Sequence, residues 1–286
     1  MSEPDRLVVC ASHSPGKDRD VEEVFGADFR AALARARELV LDFDPDYIVL
    51  FGGDHRRAFR TIMPTFAIAQ SAGIMAEAGF PAARLNVPQA RARELAEHLL
   101  ASDIDVSVCR DIELDHAFAQ PLRDLTGGLA RYPVIPIPIN CATAPLPRAH
   151  RVLALGDAVS RYLDRTDGRV LVIGTGGLSH SPPSLEVDTY DISDEDRARI
   201  IAEGSPAARK KIKPEWDRSF LDALAVWDRE ALAELSDNAH AAAGAGANEV
   251  RTWLAAGAAG GGKSLDAMVY QPVEEWITGM AVAASV

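Results

Sequence analysis

The chain has 286 residues, 48% of them apolar, and a formal charge of -12 at pH 7, which allows a large buried core but not the concentrated positive charge of a nucleic-acid binder. No apolar segment approaches the roughly 20 residues that span a bilayer, and the acidic start MSEPD leads directly into a strand-like run, so a cytoplasmic protein with a small-molecule partner is expected. Cys10, Cys109 and Cys141 are isolated, with no Cys-x-x-Cys spacing, and read as buried thiols.

Short β-branched runs alternate with stretches of helical period, the pattern of an α/β protein in which a central, mostly parallel or mixed sheet is flanked by helices. No linker, repeat or low-complexity tract divides the chain, which predicts one domain over 1–286. RLVVCASH (6–13) is a strand ending in a turn. Residues 18–44 follow as a helix, with Phe29, Leu33, Ala36 and Val40 on one face. DYIVLFGGDH (46–55) is a second buried strand, 60–70 an extended excursion, and 90–100 a helix. DVSVCRD (105–111) and PVIPIPIN (133–140) are further strands, the second near an edge because of its prolines. A helix over 148–164 and the strand RVLVIGTGG (169–177) follow. From about Asp191 the chain is mostly helical through 216–236 and 247–259, and the first half of LDAMVYQPVEEWI (265–277) is a strand.

Four of the seven histidines fall in predicted loops: His13, His55 and His180 after strand-like runs, and His116 in LDHAFAQPL. Residues just past the carboxyl ends of sheet strands converge on one crevice, so these four are candidates for a shared site. His98, His150 and His240 lie on helical or polar stretches and receive no role. The His-Glu-x-x-His spacing of zinc proteases is missing. Two histidines from separate loops plus a carboxylate would instead make the facial triad of non-haem Fe(II), which leaves positions open for substrate and dioxygen. Glu249, opening a helix after a loop of small residues, is the candidate carboxylate.

The pieces SHSP, GDH, DHAFAQPL, GTGGLSHSPP, NEVRTWLAA and QPVEEWITG, in this order across almost the whole chain, resemble the class III extradiol catechol dioxygenases. The resemblance implies that His13, His55 and Glu249 hold Fe(II), that His116 and His180 act as acid and base in an order left open, and that a catechol and dioxygen are the substrates. It also implies a homo-oligomer. Binding a catechol requires a base and cleaving its ring an acid, and an imidazole serves as either near neutral pH. Asp115 is a candidate to orient an imidazole, or equally to form a turn.

The same resemblance suggests a catechol with a carboxylated side chain, which needs a local cation. Arg57, beside Arg56, is the candidate, with Pro182, Tyr270 and Asn140 as further pocket residues. Two departures from the family pattern bear on this specificity: HRR replaces bulkier, uncharged neighbours, and the chain is shorter between Pro183 and Trp216. GTGGLSHSPP is read as a strand-end loop whose glycines permit close approach and whose Pro182 and Pro183 fix the exit path. GAAGGGKS (257–264) matches the Walker A pattern literally, but it follows a helix and precedes a strand, the reverse of a phosphate loop. Two other readings are a non-catalytic relative, which would have lost one of the five site residues, and a Zn(II) or Mn(II) site in place of iron.

Overall fold

Apolar runs of six or seven residues, bounded by turns, supply the centre of the computed structural model, which describes residues 6–77, 79–187 and 192–285. The acidic start over 1–5 and Asp191, where the helical last third was expected to begin, lie outside the described residues. In chain order the elements are β1 (Arg6–Ala11), α1 (Pro15–Arg19), α2 (Ala27–Phe43), β2 (Tyr47–Gly53), β3 (Ala67–Ala69), β4 (Ala72–Ile74), β5 (Ala83–Arg84), α3 (Gln89–Ala101), β6 (Ser107–Cys109) and β7 (Ile112–Leu114). Next come α4 (His116–Thr126), β8 (Val134–Ile139), α5 (Ala149–Leu163), β9 (Val170–Thr175), α6 (Asp194–Ala208), α7 (Pro214–Ala225), α8 (Arg229–Ala243), α9 (Val250–Ala259), β10 (Asp266–Val273) and β11 (Thr278–Ala284).

The main sheet has the strand order β10-β11-β1-β9-β2-β8. β1, β9, β2 and β8 are mutually parallel, and the antiparallel hairpin β10/β11 joins at β1. β8, the strand with two prolines, is the edge, as expected of residues that cannot donate to a second neighbour. Alternate residues face opposite layers. Val8, Cys10, Val49 and Phe51 pack with Leu95 of α3, Val159 of α5, Phe220 of α7 and Trp253 of α9. Val9, Ile48 and Leu50 pack with Phe29 and Leu33 of α2 and Phe118 and Leu122 of α4. The result is a helix–sheet–helix sandwich whose parallel strands all end on one side. No helix among the described residues is long and apolar enough to cross a membrane.

Several boundaries differ from expectation. The helix predicted over 18–44 starts only at Ala27, because the Asp20 carboxylate accepts from the amides of Val24 and Phe25 and Gly26 turns left-handed at φ 69°. The span 216–236 breaks between α7 and α8, where Trp227 has φ 49° and Asp228 caps the new helix on Ala231 N. β11 was not anticipated, because TGMAVAA is dominated by small residues. The Walker A look-alike leaves the end of α9 and enters β10, so no helix start is available to cradle phosphates.

α5 and α9 touch so closely at Gly156 that a Cβ there would lie 2.5 Å from both the Ala255 carbonyl oxygen and the Ala258 Cβ. Gly156→Val should therefore force the helices apart and destabilise the fold by about 1–3 kcal/mol, read as a lower urea midpoint with an unchanged slope.

Candidate active site

The parallel strand ends deliver the site. His13 lies two residues beyond β1 and His55 two beyond β2, while Thr175 closes β9 and Glu249 immediately precedes α9. All ten residues of α9 are buried, so the carboxylate is carried on a helix sunk into the core. Room for it comes from the loop after β9. Gly176 sits at φ 154°, and a Cβ there would meet the Glu249 Cβ at 2.4 Å. The glycines of GTGG thus admit the protein's own carboxylate, and Gly177 N donates to Glu249 Oε2 at 2.7 Å.

His13 Nε2 lies 3.5 Å from His55 Nε2 and 3.8 Å from Glu249 Oε1, and His55 Nε2 lies 2.7 Å from that same oxygen. The outer ring nitrogens are engaged: His13 Nδ1 with Thr175 Oγ1 at 2.8 Å, and His55 Nδ1, donating, with Asp115 Oδ2 at 2.9 Å. This leaves both Nε2 atoms facing the carboxylate. Burial pulls the His13 pKa down to about 3, with Glu249 opposing, so the ring is neutral. Burial also disfavours charge on His55, but Asp115 and Glu249 outweigh it and hold that pKa well above normal. Glu249 is pushed up by burial yet falls to about 2 because His13, His55 and His180 surround it.

This donor set fits a metal ion. Bonds of about 2.0–2.2 Å to one ion place neighbouring donors about 3 Å apart, near the spacing found, and two imidazoles with one carboxylate make the facial triad. His13, His55 and His116 also bring ring nitrogens within 4.8 Å of one another. His116, however, stacks on His55 with centroids 4.5 Å apart at 9°. In-plane lone pairs of parallel rings run side by side and do not meet at one ion, whereas His13 stands at 87° to His55.

The two remaining histidines face the same space in different settings. His180 Nδ1 donates to the Leu178 carbonyl at 2.8 Å, leaving Nε2 as an acceptor 3.8 Å from Glu249 Oε2. His116 Nδ1 donates to Glu77 Oε1 at 2.9 Å, and its backbone N–H donates to the same oxygen at 3.0 Å. His116 is not a loop residue as expected; it is the first residue of α4, with Asp115 as N-cap accepting from Ala117 N. Asp115 does orient an imidazole, that of His55 and not that of its neighbour, and it also accepts from His55 N at 3.1 Å.

Sequence reasoning missed two supports. Glu77 fixes His116 from an irregular segment with no motif to mark it. Gln120, one turn after His116 on α4, accepts from Ser14 N and donates to Ser14 O, both at 2.9 Å, clamping the residue after His13. The spacing of His116 and Gln120 in DHAFAQPL was a usable signal.

A cavity of about 410 Å³ opens from this cluster, lined by all four histidines and by Pro182, Arg57, Trp276 and residues of α6, among others. Pro182 is part of the cavity wall. Arg57 also reaches the wall, but its guanidinium is held by Glu77 at 3.1 Å and by Asp194, so its charge is already matched. Tyr270 does not line the cavity, because its hydroxyl donates to the buried Asp217 at 2.7 Å. Asp217 in turn accepts from Ser179 N and Oγ, each at 2.7 Å, so Tyr270 braces the loop carrying His180. Asn140 also turns away, bonding Thr143 N and O. Arg56 braces a loop through Ala142 O and Thr143 Oγ1.

Residues 7–281 match the family model described as the catalytic LigB subunit of aromatic ring-opening dioxygenase. The chain is similar to 2,3-dihydroxyphenylpropionate/2,3-dihydroxicinnamic acid 1,2-dioxygenases: 40% identical to that of Paraburkholderia xenovorans (95% of this chain, 94% of the relative) and 34% to that of Rhodococcus globerulus (98% of each). An uncharacterized protein from Escherichia coli K12 shares the fold with a TM-score of 0.62 at 13% identity, over 98% of this chain and 99% of that one.

Asp115→Asn keeps the volume but turns one carboxylate oxygen into an NH2 donor and removes the charge, so it cannot both accept from the two His55 donors and cap α4 on Ala117 N. Second-sphere partners of this kind are worth about 10- to 100-fold in metal affinity, and a ferrous or cobaltous titration should show a loss of that order with the fold intact by circular dichroism.

Proposed function

The chain belongs to the family of catalytic LigB subunits of aromatic ring-opening dioxygenases, and on that premise we propose that it is an Fe(II)-dependent extradiol catechol dioxygenase. The whole chain acts as one catalytic domain, with His13, His55 and Glu249 as the iron ligands. The observation that carries this reading is the meeting of three donors, from three separate segments and within 3.8 Å of one another, at the head of a cavity that also presents His116 and His180. A non-catalytic relative would have no reason to keep all five.

Ferrous ion held by His13, His55 and Glu249 would supply open coordination sites for the catechol and dioxygen and a path for electrons between them. The side chains govern the protons. The catechol loses a hydroxyl proton on binding, and His180 Nε2 is suited to take it, because the Leu178 carbonyl holds the ring in the tautomer with Nε2 unprotonated. Opening the ring later requires a proton donor. His116 suits that role, because the Glu77 carboxylate accepts from Nδ1 and balances the charge of the ring when Nε2 also carries a proton. Asp115 and Thr175 keep the ligand rings from turning away, and Pro182, Trp276 and Ile201 shield the ring from bulk water.

The relatives are named for 2,3-dihydroxyphenylpropionate and 2,3-dihydroxycinnamic acid, and we take a catechol with a carboxylated side chain as the substrate here. The test is anaerobic loading with ferrous iron followed by air and a panel of catechols. A yellow ring-opened product with one dioxygen consumed per catechol is expected, and no oxygen uptake with any catechol would end the proposal.

His13→Ala and Glu249→Ala should lose iron and activity together. His180→Ala should retain iron and bind catechol anaerobically yet turn over about 100- to 10,000-fold more slowly, the usual worth of a positioned acid or base. Near-normal turnover by that variant would remove His180 from the mechanism.

A further inference from the structure

The loop that carries His180 is fixed from behind by a carboxylate outside the cavity. Asp217, the fourth residue of α7, is fully buried, and neither it nor Ser179 lines the cavity wall. Its Oδ1 accepts from Ser179 N at 2.7 Å, and its Oδ2 accepts from Ser179 Oγ and from the Tyr270 hydroxyl, each at 2.7 Å. Ser179 Oγ in turn accepts from the backbone N–H of Lys213, the residue before α7, at 2.7 Å. Main chain and side chain of Ser179 are thus both tied to the start of one helix. On its other side, Gly279 N donates to Ser179 O at 3.0 Å, which joins the loop to β11. The next residue is His180, whose carbonyl accepts from Gly246 N at 3.0 Å. A Cβ on Gly246 would lie 2.3 Å from His180 Nε2, so the imidazole rests against bare backbone. A displacement of Ser179 would therefore move the ring against that backbone or draw it away.

We propose that Asp217 is the positioning residue of His180, holding Ser179 in place and so fixing the neighbouring imidazole over the cavity. The assignment rests on the reading of His180 as a proton-transfer residue of a ring-opening dioxygenase. Ser179 offers two donors and Tyr270 a third, and an ionised carboxylate is the side chain that accepts on both oxygens and donates on neither. Tyr270 completes the set from β10, so α7, β10 and the strand-end loop after β9 are joined at one buried point. Proton transfer needs the ring and the reacting oxygen within hydrogen-bond reach, and here that reach is set by a group that lies outside the cavity.

The experiment measures turnover of 2,3-dihydroxyphenylpropionate, ferrous affinity and anaerobic catechol binding in wild type, Asp217→Asn, His180→Ala and the double variant. Asp217→Asn keeps the volume but turns one carboxylate oxygen into an NH2 donor. It should lose about 10- to 100-fold in kcat, the cost of misplacing a catalytic group by about 1 Å, while iron and catechol binding are retained. Adding Asp217→Asn to His180→Ala should cost nothing further, because a residue that acts through another has no effect once that other is gone. Tyr270→Phe leaves both contacts to Ser179 in place and should keep most of the turnover. A multiplied loss in the double variant, or a parallel fall in iron affinity, would overturn the assignment and make Asp217 a support of the fold. Full turnover by Asp217→Asn would overturn it as well. Cleavage of no catechol by the wild type is the separate failure, that of the dioxygenase reading itself. The ring is then followed by nuclear magnetic resonance of protein carrying isotope-labelled histidine, with the His180 signals identified by their loss in His180→Ala. Shifted or broadened His180 signals in Asp217→Asn uphold the positioning, and unchanged signals refute it.

Discussion

The site depends on one buried carboxylate that bonds in two directions. Asp115, 1% exposed, uses Oδ2 to accept from both the backbone N–H and Nδ1 of His55, and Oδ1 to cap α4 on Ala117 N. Burial alone would raise its pKa, but His55, His116 and the Ala117 amide hold it below the usual carboxylate range. A helix start is therefore welded to a ligand loop from a different strand. Without that carboxylate, two buried donors of His55 would lose their acceptor, at about 1–3 kcal/mol each, and the ring would be free to rotate.

The same helix completes the arrangement. The first residue of α4 is His116, and Gln120 one turn later clamps Ser14 beside His13. One short helix thus positions His13 and His55, the two proposed imidazole ligands, together with His116. Glu249, the proposed third ligand, arrives independently just ahead of α9, from the other layer of the sandwich. Two layers meeting across the sheet edge make the geometry stiff, because neither the α4 layer nor α9 can shift without repacking a core.

The parallel strands were legible because they are buried on both faces and read as unbroken apolar runs. The histidines at their ends were legible because strand ends converge, whereas the helix start marked Glu249 only as one candidate and the family resemblance singled it out. Boundaries set by single side chains were not legible: Asp20 folding back on Val24 and Phe25, or Trp227 turning left-handed, leave no periodic trace. Contacts between segments far apart in sequence were equally hidden. Glu77 reaches His116 and Arg57 from a stretch without pattern, and Tyr270, a reasonable pocket residue by type, spends its hydroxyl on Asp217.

The cavity has a floor and a roof of different character. The floor is made of strand ends and a fully buried helix, whose opening requires loss of the core. The roof is α6, with one buried residue and a first turn fastened by an exposed ion pair, contacts of low local stability. The donor cluster and the outer wall of the cavity are thereby lodged in parts of the molecule that tolerate change separately. Drift in the roof can therefore reshape the cavity above the cluster of His13, His55 and Glu249 without disturbing the cluster itself, so the two can change independently.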